Sequence, residues 1–555
     1  MNETNGLLQI KSDKEISIYK DRISLEKSKK ELYDEDESNE FISLKFLIFL
    51  LMLIFIIIHI FFFSMNKKSI DNEEQSFINN NKDNNEEELL SKNEEYEDNI
   101  NDNEFYAKEI LRNEPNCDKL DPINMFNLRI KNGPKTICEN KKSKHICYQN
   151  TKGYYNDILW HQNGAICLME NIILDPSKAK RSNFIYKGPV DSERQGFPIL
   201  SKGFFNMKCI NPKKLEKINK IYDCYFDSWN YNYKIQKEEK IEELAPNKTV
   251  LFLSRNQDSP NLFHGNSEII NVISMMNLFN LKPENIQVIF LESITIKDDP
   301  FYDIYKNVIS RGGEPIYIHN LKYKYHITNA IHVPINWDST CFFISEYPDD
   351  RYSVPNCSEP TKTYKLYNDL IDKYFNISNF KDSFISDNKI FYYPKSIIKN
   401  HKLKTIFTKT VTIQWRKVWP KGRKGQNRIL GNGPKLADKL SSLLPKNILI
   451  RLVDTASLHM REQISILRKT DYLIGIHGAG LSLSIFMPTK SIFHEIVPNQ
   501  NLKLLQMMSA LSGHKTYSDL IMADIRNIKD SEHIFFDVDD FAEKILQRMK
   551  ENNFF

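Results

Sequence analysis

Short apolar runs alternate with amphipathic stretches twice along this chain, and no other feature limits its fold as much. In the first set, residues 249–256, 286–293 and 315–320 are apolar runs of strand length, whereas 261–281 and 301–313 carry apolar residues at helical spacing. Successive strands that are joined by helices usually lie parallel in one sheet. The first set therefore predicts a Rossmann-like domain.

The same alternation returns nearer the C-terminus. Four apolar runs of strand length, with helical patterns between them and a final amphipathic helix at 539–552, occupy residues 411–416, 447–454, 472–476 and 491–497. We therefore predict an α/β fold with two Rossmann-like domains that face a cleft. The predicted boundaries are 115–400 for a first domain with a disulfide-braced N-terminal portion, and 401–555 for a second domain that ends in the final helix.

The segment that precedes these domains has a different composition. Residues 46–63 contain no Asp, Glu, Lys or Arg, and we interpret residues 41–64 as a transmembrane signal anchor that follows a cytosolic tail at 1–40. Residues 65–114 are rich in Asn, Glu and Asp and lack apolar periodicity, which predicts a disordered acidic stem. Residues 115–555 carry a net charge of +16, which suits an anionic ligand or partner.

All eight cysteines follow the apolar segment, which indicates disulfides formed in an oxidising lumen. Eight cysteines allow 105 pairings, and a local bond between Cys341 and Cys357 is a guess from their separation from the other six. Sequons at Asn247, Asn356 and Asn376 permit N-glycosylation. Together these features predict a single-pass type II membrane protein of the ER or Golgi with a lumenal body.

The turn His477-Gly478-Ala479-Gly480 lies between a predicted strand and a predicted short helix. Small residues at a helix N-terminus let backbone N–H groups approach an anion such as a diphosphate. A tight turn without a ligand is an equally good interpretation of these four residues alone. A lipase oxyanion loop would need a G-x-S-x-G elbow, which the sequence lacks.

The turn belongs to the last of three elements that occur in a fixed order along the chain. They are Asn261, His264 and Glu268 in an N-x-x-H-x-x-x-[DE] pattern, VTIQWR with RILGN at 411–432, and DYLIGIHGAGLSLSIFMP followed by HEI at 471–496. The set resembles glycosyltransferase family 61, although Ser482 stands where the family usually has Thr. The resemblance implies a GT-B-like architecture and an inverting transfer from a nucleotide sugar.

The resemblance also implies roles for individual residues. His264 and Glu268 lie one helical turn apart and would supply the base that deprotonates the acceptor hydroxyl, with either residue as the base. Asn261 would support the acceptor side of the cleft. The predicted nucleotide-sugar site consists of Arg416 and Arg428 for the diphosphate charge, Asn432, the turn His477, Gly478, Ala479 and Gly480, and Glu495 for the ribose hydroxyls.

The metal-dependent alternative rests on Asp537-Val538-Asp539, a D-x-D sequence that can hold a metal-bound nucleotide in other glycosyltransferases. These residues directly precede an amphipathic helix, so we interpret Asp539 or Asp540 as a helix cap. We therefore expect no metal and no cofactor beyond the UDP-sugar substrate.

The sequence thus predicts a lumenal inverting glycosyltransferase that moves GlcNAc or a pentose such as xylose from a UDP sugar to a glycoprotein or polysaccharide hydroxyl. The alternative is a catalytically inactive, membrane-tethered member of the same fold that binds glycans or partners. A nucleic-acid binder is not expected, because no Lys/Arg-rich run with interleaved aromatic residues is present.

Overall fold

A computed structural model provides the structure of the protein. It describes residues 116–131, 135–140, 142–148, 166–180, 199–209, 212, 225, 227–255, 261–292, 299–334, 354–377, 390–393, 407–415, 428–497, 503–520, 524–528 and 531–555. All of them belong to one unit of the chain, Glu97–Phe555. The predicted tail at 1–40, signal anchor at 41–64 and stem at 65–114 lie outside the described residues.

The largest sheet of the described residues combines ten strands of both orientations. The strands from the N-terminal side are β1 Lys135–Glu139, β2 Lys144–Tyr148, β3 Ile166–Leu174, β6 Phe205–Asn206, β7 Trp229–Asn230, β8 Ile241–Glu243, β9 Thr249–Leu253, β10 Ile286–Phe290, β11 Ile316–Tyr317 and β12 Lys324–Val333. A separate two-stranded sheet consists of β4 Ala179–Lys180 and β5 Ile199–Leu200.

The large sheet has an antiparallel half and a parallel half. Along the main path the order is β1-β2-β3-β12-β9-β10-β11. Strands β12, β9, β10 and β11 are mutually parallel, as the alternation predicts, whereas β1, β2, β3 and β12 pair antiparallel. Strand β12 joins the halves, because Ile331 pairs with Leu251 of β9 on one side and with Leu168 of β3 on the other.

The second large sheet belongs to the C-terminal part of the chain. Its strands are β13 Ile390–Tyr393, β14 Lys409–Gln414, β16 Ile448–Val453, β17 Tyr472–Ile476, β18 Ile492–Val497 and β19 Lys515–Leu520, and their order is β13-β16-β14-β17-β18-β19. All neighbours are parallel except β13 and β16. A three-stranded sheet beside it contains β15 Arg428–Leu430, β20 Asp524–Ile528 and β21 Ser531–Phe535.

Eight α-helices occur among the described residues. They are α1 Pro122–Lys131, α2 Leu262–Leu278, α3 Tyr302–Ile304 with a π-helical turn at Tyr305–Ile309, α4 Lys362–Tyr374, α5 Gly433–Leu443, α6 Met460–Leu467, α7 Leu504–Leu511 and α8 Val538–Glu551. Helices α1, α4 and α7 were not predicted from the sequence. The predicted short helix after His477 is a 3-10 helix, Ala479–Phe486. Asp537, rather than Asp539 or Asp540, caps α8, because its side chain accepts hydrogen bonds from the backbone of both following Asp residues.

Helix α2 packs against the 3-10 helix, so elements from both predicted domains share one hydrophobic core. Phe263 of α2, Tyr367 of α4, and Leu481 and Phe486 of the 3-10 helix are all buried in this core. A separate core lies between α5, α8 and the second large sheet and includes Phe541. The predicted domain boundaries stay a prediction.

Three disulfides are present among the described residues. They join Cys117 to Cys357, Cys138 to Cys209 and Cys147 to Cys167. The predicted bond between Cys341 and Cys357 is wrong, because Cys357 is already bonded to a cysteine 240 residues earlier. The separation of the cysteines along the sequence did not predict the pairing, because the segment before α4 lies next to the segment before α1 in the fold.

The predicted fold class is also wrong and is corrected here. Instead of two Rossmann-like domains, the described residues form a mixed α/β fold with four sheets. The physical reason is that β12 is fully paired on both edges, and its antiparallel partner β3 adds an N-terminal half to the parallel sheet. Among the described residues, no helix combines the length and apolarity that crossing a bilayer requires, so the predicted membrane helix finds no support there.

Candidate functional site

The turn His477–Gly480 directly follows strand β17 and leads into the 3-10 helix. Its four residues are half-buried, so they remain accessible from solvent. A Cβ atom at Gly480 would lie 2.5 Å from Nε2 of Gln414, at the end of the neighbouring strand β14. That Nε2 atom also donates a hydrogen bond to Oγ1 of Thr455 at 2.8 Å. Gly480 therefore leaves room for the close approach of the Gln414 side chain, which sequence analysis did not identify.

His477 and Glu495 form a hydrogen-bonded pair at the carboxyl edge of the second large sheet. Nδ1 of His477 lies 2.5 Å from Oε1 of Glu495, whose side chain is fully buried. Oε2 of Glu495 accepts a hydrogen bond from Nε2 of Gln506 on α7 at 3.1 Å. Because a carboxylate only accepts, the proton of this pair belongs on Nδ1, and Nε2 is the ring nitrogen outside the pair.

Both carboxylate oxygens of Glu495 contact protein side chains. This arrangement orients the ring of His477, and the predicted role of Glu495 towards ribose hydroxyls stays a prediction. Gln506, which completes it, has no recognisable signal in the sequence, because only the fold brings α7 next to β18.

Arg428 joins the same cluster from the three-stranded sheet. Its Nη1 atom donates a hydrogen bond to the backbone oxygen of His477 at 3.2 Å. A guanidinium in this position adds positive charge next to the turn, as the binding of a diphosphate requires. Arg416, the second predicted arginine, lies outside the described residues.

Asn432 has a structural contact that the prediction did not include. Its Nδ2 atom donates a hydrogen bond to the backbone oxygen of Phe536 at 2.6 Å, and the side chain is buried. This bond ties the start of α5 to the segment before α8. The structure thus gives Asn432 a position where α5 meets the segment before α8, and its predicted role in the nucleotide-sugar site stays a prediction.

Helix α2 carries the predicted acid/base pair. Asn261 is the N-cap of this helix, since its Oδ1 atom accepts a hydrogen bond from the backbone N–H of Phe263 at 3.0 Å. His264 is half-buried, whereas Glu268, one turn further along, is only 5% exposed. The cap fixes where α2 begins and thereby sets the positions of both side chains.

A small cavity lies beside Glu268 at the carboxyl ends of parallel strands β9 and β12. Its lining includes Ser254, Arg255, Tyr305 and Val333. Such edges of parallel sheets are common ligand positions. Glu268 and Arg255 line the same cavity.

Arg255 is the centre of a buried charge network that sequence analysis missed. It forms ion pairs with Glu292 and Asp299, donates a hydrogen bond to the hydroxyl of Tyr317 at 3.3 Å, and stacks on Phe290 at 3.7 Å. Burial raises the pKa of the Glu292 carboxyl to about 7. Arg255 and Glu292 each follow the apolar residues of a parallel strand, and this position is the signal that could have identified them.

One group of possible metal ligands occurs among the described residues, and it does not fit a metal ion. It consists of His145, Cys147 and Cys167. The two sulfur atoms are bonded to each other, so neither is available as a thiolate. The Asp537-Val538-Asp539 sequence is occupied in capping α8.

Comparison with known proteins found one family model that matches part of the chain. Residues 351–493 match the model described as Glycosyltransferase 61, which confirms the predicted resemblance to that family over this segment. The matched region contains α4, β14, Arg428 and the turn His477–Gly480, and it excludes α2 and Glu495. No curated protein matches the chain. The family relationship supports glycosyltransferase activity in general.

Proposed function

We propose, with the relationship to glycosyltransferase family 61 as the premise, that this protein transfers a sugar from a UDP sugar to a hydroxyl of a glycoprotein or polysaccharide, with inversion. The observation that carries the proposal is the His477–Glu495 pair on an accessible glycine turn, joined by Arg428. A nucleotide diphosphate suits this turn in charge and size. The guanidinium of Arg428 and the N-terminus of the 3-10 helix both favour a negative charge there.

In the proposed mechanism, the turn holds the diphosphate of the donor. With both ring nitrogens protonated, His477 donates from Nδ1 to Glu495 and from Nε2 to a phosphate oxygen. Arg428 offsets the negative charge that develops when the bond between the sugar and the diphosphate breaks. Glu495 keeps His477 in the required orientation. The uridine diphosphate leaves as an anion that these groups stabilise.

The acceptor is activated from helix α2. We assign His264 as the base that takes the proton of the acceptor hydroxyl, because its half-buried ring can reach a substrate, and Glu268 as the buried carboxylate that supports it. The deprotonated oxygen attacks the anomeric carbon from the face opposite the diphosphate, which inverts the configuration. GlcNAc and a pentose such as xylose are the proposed sugars.

We further propose that the enzyme matures in an oxidising compartment of the secretory pathway. Three disulfides and the exposed positions of the sequon residues Asn247, Asn356 and Asn376 support this location.

Thermal unfolding with nucleotides in the presence of EDTA tests the proposed donor site. UDP at about 100 times its dissociation constant adds about 2.7 kcal/mol to the free energy of unfolding, so the melting temperature rises. We expect His477→Ala to abolish this rise. His326→Ala, which alters a histidine on strand β12, serves as the control and retains it.

The same experiment ranks the donors and defines what would contradict the proposal. UDP-GlcNAc and UDP-xylose are compared at equal concentrations, and the larger rise indicates the preferred sugar. The donor assignment is wrong if no uridine nucleotide raises the melting temperature of the unaltered protein. Binding without release of UDP from either donor, across a set of glycan acceptors, would favour the non-catalytic alternative.

A further inference from the structure

A buried chain of polar side chains connects three helices beneath the turn. The hydroxyl of Tyr367 on α4 donates a hydrogen bond to Oδ1 of Asn266 on α2 at 3.3 Å. Nδ2 of Asn266 then donates to Oγ of Ser482 in the 3-10 helix at 3.1 Å. All three side chains are fully buried. Burial raises the pKa of Tyr367, so its hydroxyl keeps the proton that it donates.

This chain runs between the two halves of the site. Asn266 lies between His264 and Glu268 along α2, and Ser482 lies two residues after Gly480 of the turn. The hydrogen bond between Asn266 and Ser482 therefore links helix α2, which carries the proposed acid/base pair, to the 3-10 helix that begins at the proposed diphosphate turn. Nδ2 of Asn368 on α4 holds the same 3-10 helix through the backbone oxygen of Ile485 at 2.9 Å.

The polar character of this link is informative because its surroundings are apolar. Phe263, Leu481 and Phe486 pack around the same contact between α2 and the 3-10 helix. Apolar side chains at positions 266 and 482 would suffice for packing, since a buried polar pair contributes little net stability. A fully hydrogen-bonded buried network does, however, fix one arrangement of the elements that it joins.

We propose that Asn266 and Ser482 are positioning residues that couple occupancy of the diphosphate turn to the orientation of helix α2. The inference rests on the proposed function, because it assumes a nucleotide at the turn. Binding of the diphosphate draws the backbone N–H groups at the start of the 3-10 helix toward the anion. Ser482 transfers this constraint to Asn266, and α2 then holds His264 and Glu268 in the arrangement for attack.

Hydrogen exchange of backbone amides, measured on the whole protein with and without UDP, tests the coupling. In the unaltered protein we expect UDP to slow exchange at 477–486 and also, by about fivefold, at 262–270. Ser482→Ala should retain the slowing at the turn and lose it on α2. This difference depends on the nucleotide, so a purely structural role for Ser482 would not produce it.

Two further variants serve as matched controls. Ser484→Ala removes a buried hydroxyl from the same 3-10 helix. The Oγ atom of Ser484 has no hydrogen-bond partner among the described residues, so this variant should behave like the unaltered protein. Ser482→Thr keeps the hydroxyl and should keep the response of α2. Retention of that response in Ser482→Ala would overturn the proposal.

The remaining outcomes separate this inference from the proposed function. Slowing at the turn without slowing on α2 in the unaltered protein would overturn the coupling and leave the nucleotide site intact. An absence of UDP-dependent change in both segments would overturn the nucleotide site, and the coupling with it.

Discussion

Glu495 is fully buried, and each of its carboxylate oxygens accepts a hydrogen bond from another side chain. This arrangement places the buried carboxylate of Glu495 next to Nδ1 of the half-buried His477. Charge-assisted hydrogen bonds of this kind contribute about 1.5–3 kcal/mol. The orientation of the ring at the turn therefore depends on one carboxylate and on the glutamine that supports it.

Replacement of Glu495 by Gln should weaken the binding of UDP. The amide keeps the shape of the side chain and removes its charge, so His477 loses the partner that orients and stabilises its donating form. We expect the dissociation constant of UDP to rise by about tenfold or more, measured by calorimetry. Glu543→Gln, on the exposed face of α8, is the control. Equal affinity in Glu495→Gln and the unaltered protein would contradict the role of the charge.

Two buried histidines should make the stability of the protein depend on pH. Burial lowers the pKa of His145 and of His514 from 6.5 to about 3. Between pH 6.5 and about 3 the unfolded chain binds protons at these positions and the folded chain does not. The free energy of unfolding should therefore fall as the pH drops below about 6.5, by up to about 1.4 kcal/mol per pH unit for each histidine.

Urea unfolding of His514→Gln at pH 7 and pH 5 measures this dependence. At pH 7 the difference in free energy of unfolding between the variant and the unaltered protein reports the structural cost of the substitution, because His514 is largely uncharged in both the folded and the unfolded chain. The fall in free energy of unfolding between pH 7 and pH 5 should be smaller in the variant, since one titrating group is gone. An unchanged pH dependence would show that His514 does not supply it.

Residues near a motif were easier to predict from the sequence than their partners. His477 and Glu495 were both predicted, and the structure brings them together. The contacts of Gln414 and Gln506 were missed, although Gln414 lies inside the VTIQWR element, because only the order of strands and the position of α7 bring them to the site. Asn261 was predicted as a site residue, and its visible contact is the cap of α2.

At the scale of elements, the C-terminal strands were predictable because each is a nearly continuous apolar run. The predicted strand at 447–454 is observed at Ile448–Val453, and the predicted strand at 491–497 is observed at Ile492–Val497. Buried parallel strands have this pattern, since both of their faces are covered. The short strands β5, β6 and β7 contain two residues each, which is too few for any periodicity to be recognised.

The connection between α7 and β19 depends on Gly513. Its φ angle is +79°, and a Cβ atom there would lie 2.7 Å from the backbone nitrogen of Pro360. Gly203 also has a positive φ, +89°, but the nearest atom to a Cβ there is 3.6 Å away. The two glycines therefore share the same kind of backbone conformation and differ in the space around them.

Alanine at each of these positions separates the two effects. Gly203→Ala should lower the free energy of unfolding by about 1 kcal/mol, because only the backbone conformation is disfavoured. Gly513→Ala should lower it by about 3 kcal/mol, because the segment before α4 must also move. Chemical unfolding of both variants provides the measurement. Similar losses in the two variants would mean that the contact with Pro360 yields at little cost.

For the whole molecule, the sequence analysis predicted parallel sheets but did not predict the antiparallel strands that extend the first of them. Strand β12 pairs along its length with β3, which is about 160 residues earlier in the chain, and no local pattern encodes such a partner. Helix α2 and the 3-10 helix also come from distant parts of the chain and share one core, which no local pattern encodes.

The disulfide between Cys117 and Cys357 sets an order of events during synthesis. The two cysteines are 240 residues apart, and a ribosome adds about 5–20 residues per second. In the oxidising compartment proposed above, Cys117 therefore waits about 12–48 seconds before its native partner is made. During that time Cys138, Cys147 and Cys167 are all available to it as wrong partners. Efficient production of this protein should therefore depend on a disulfide isomerase that can release Cys117 again.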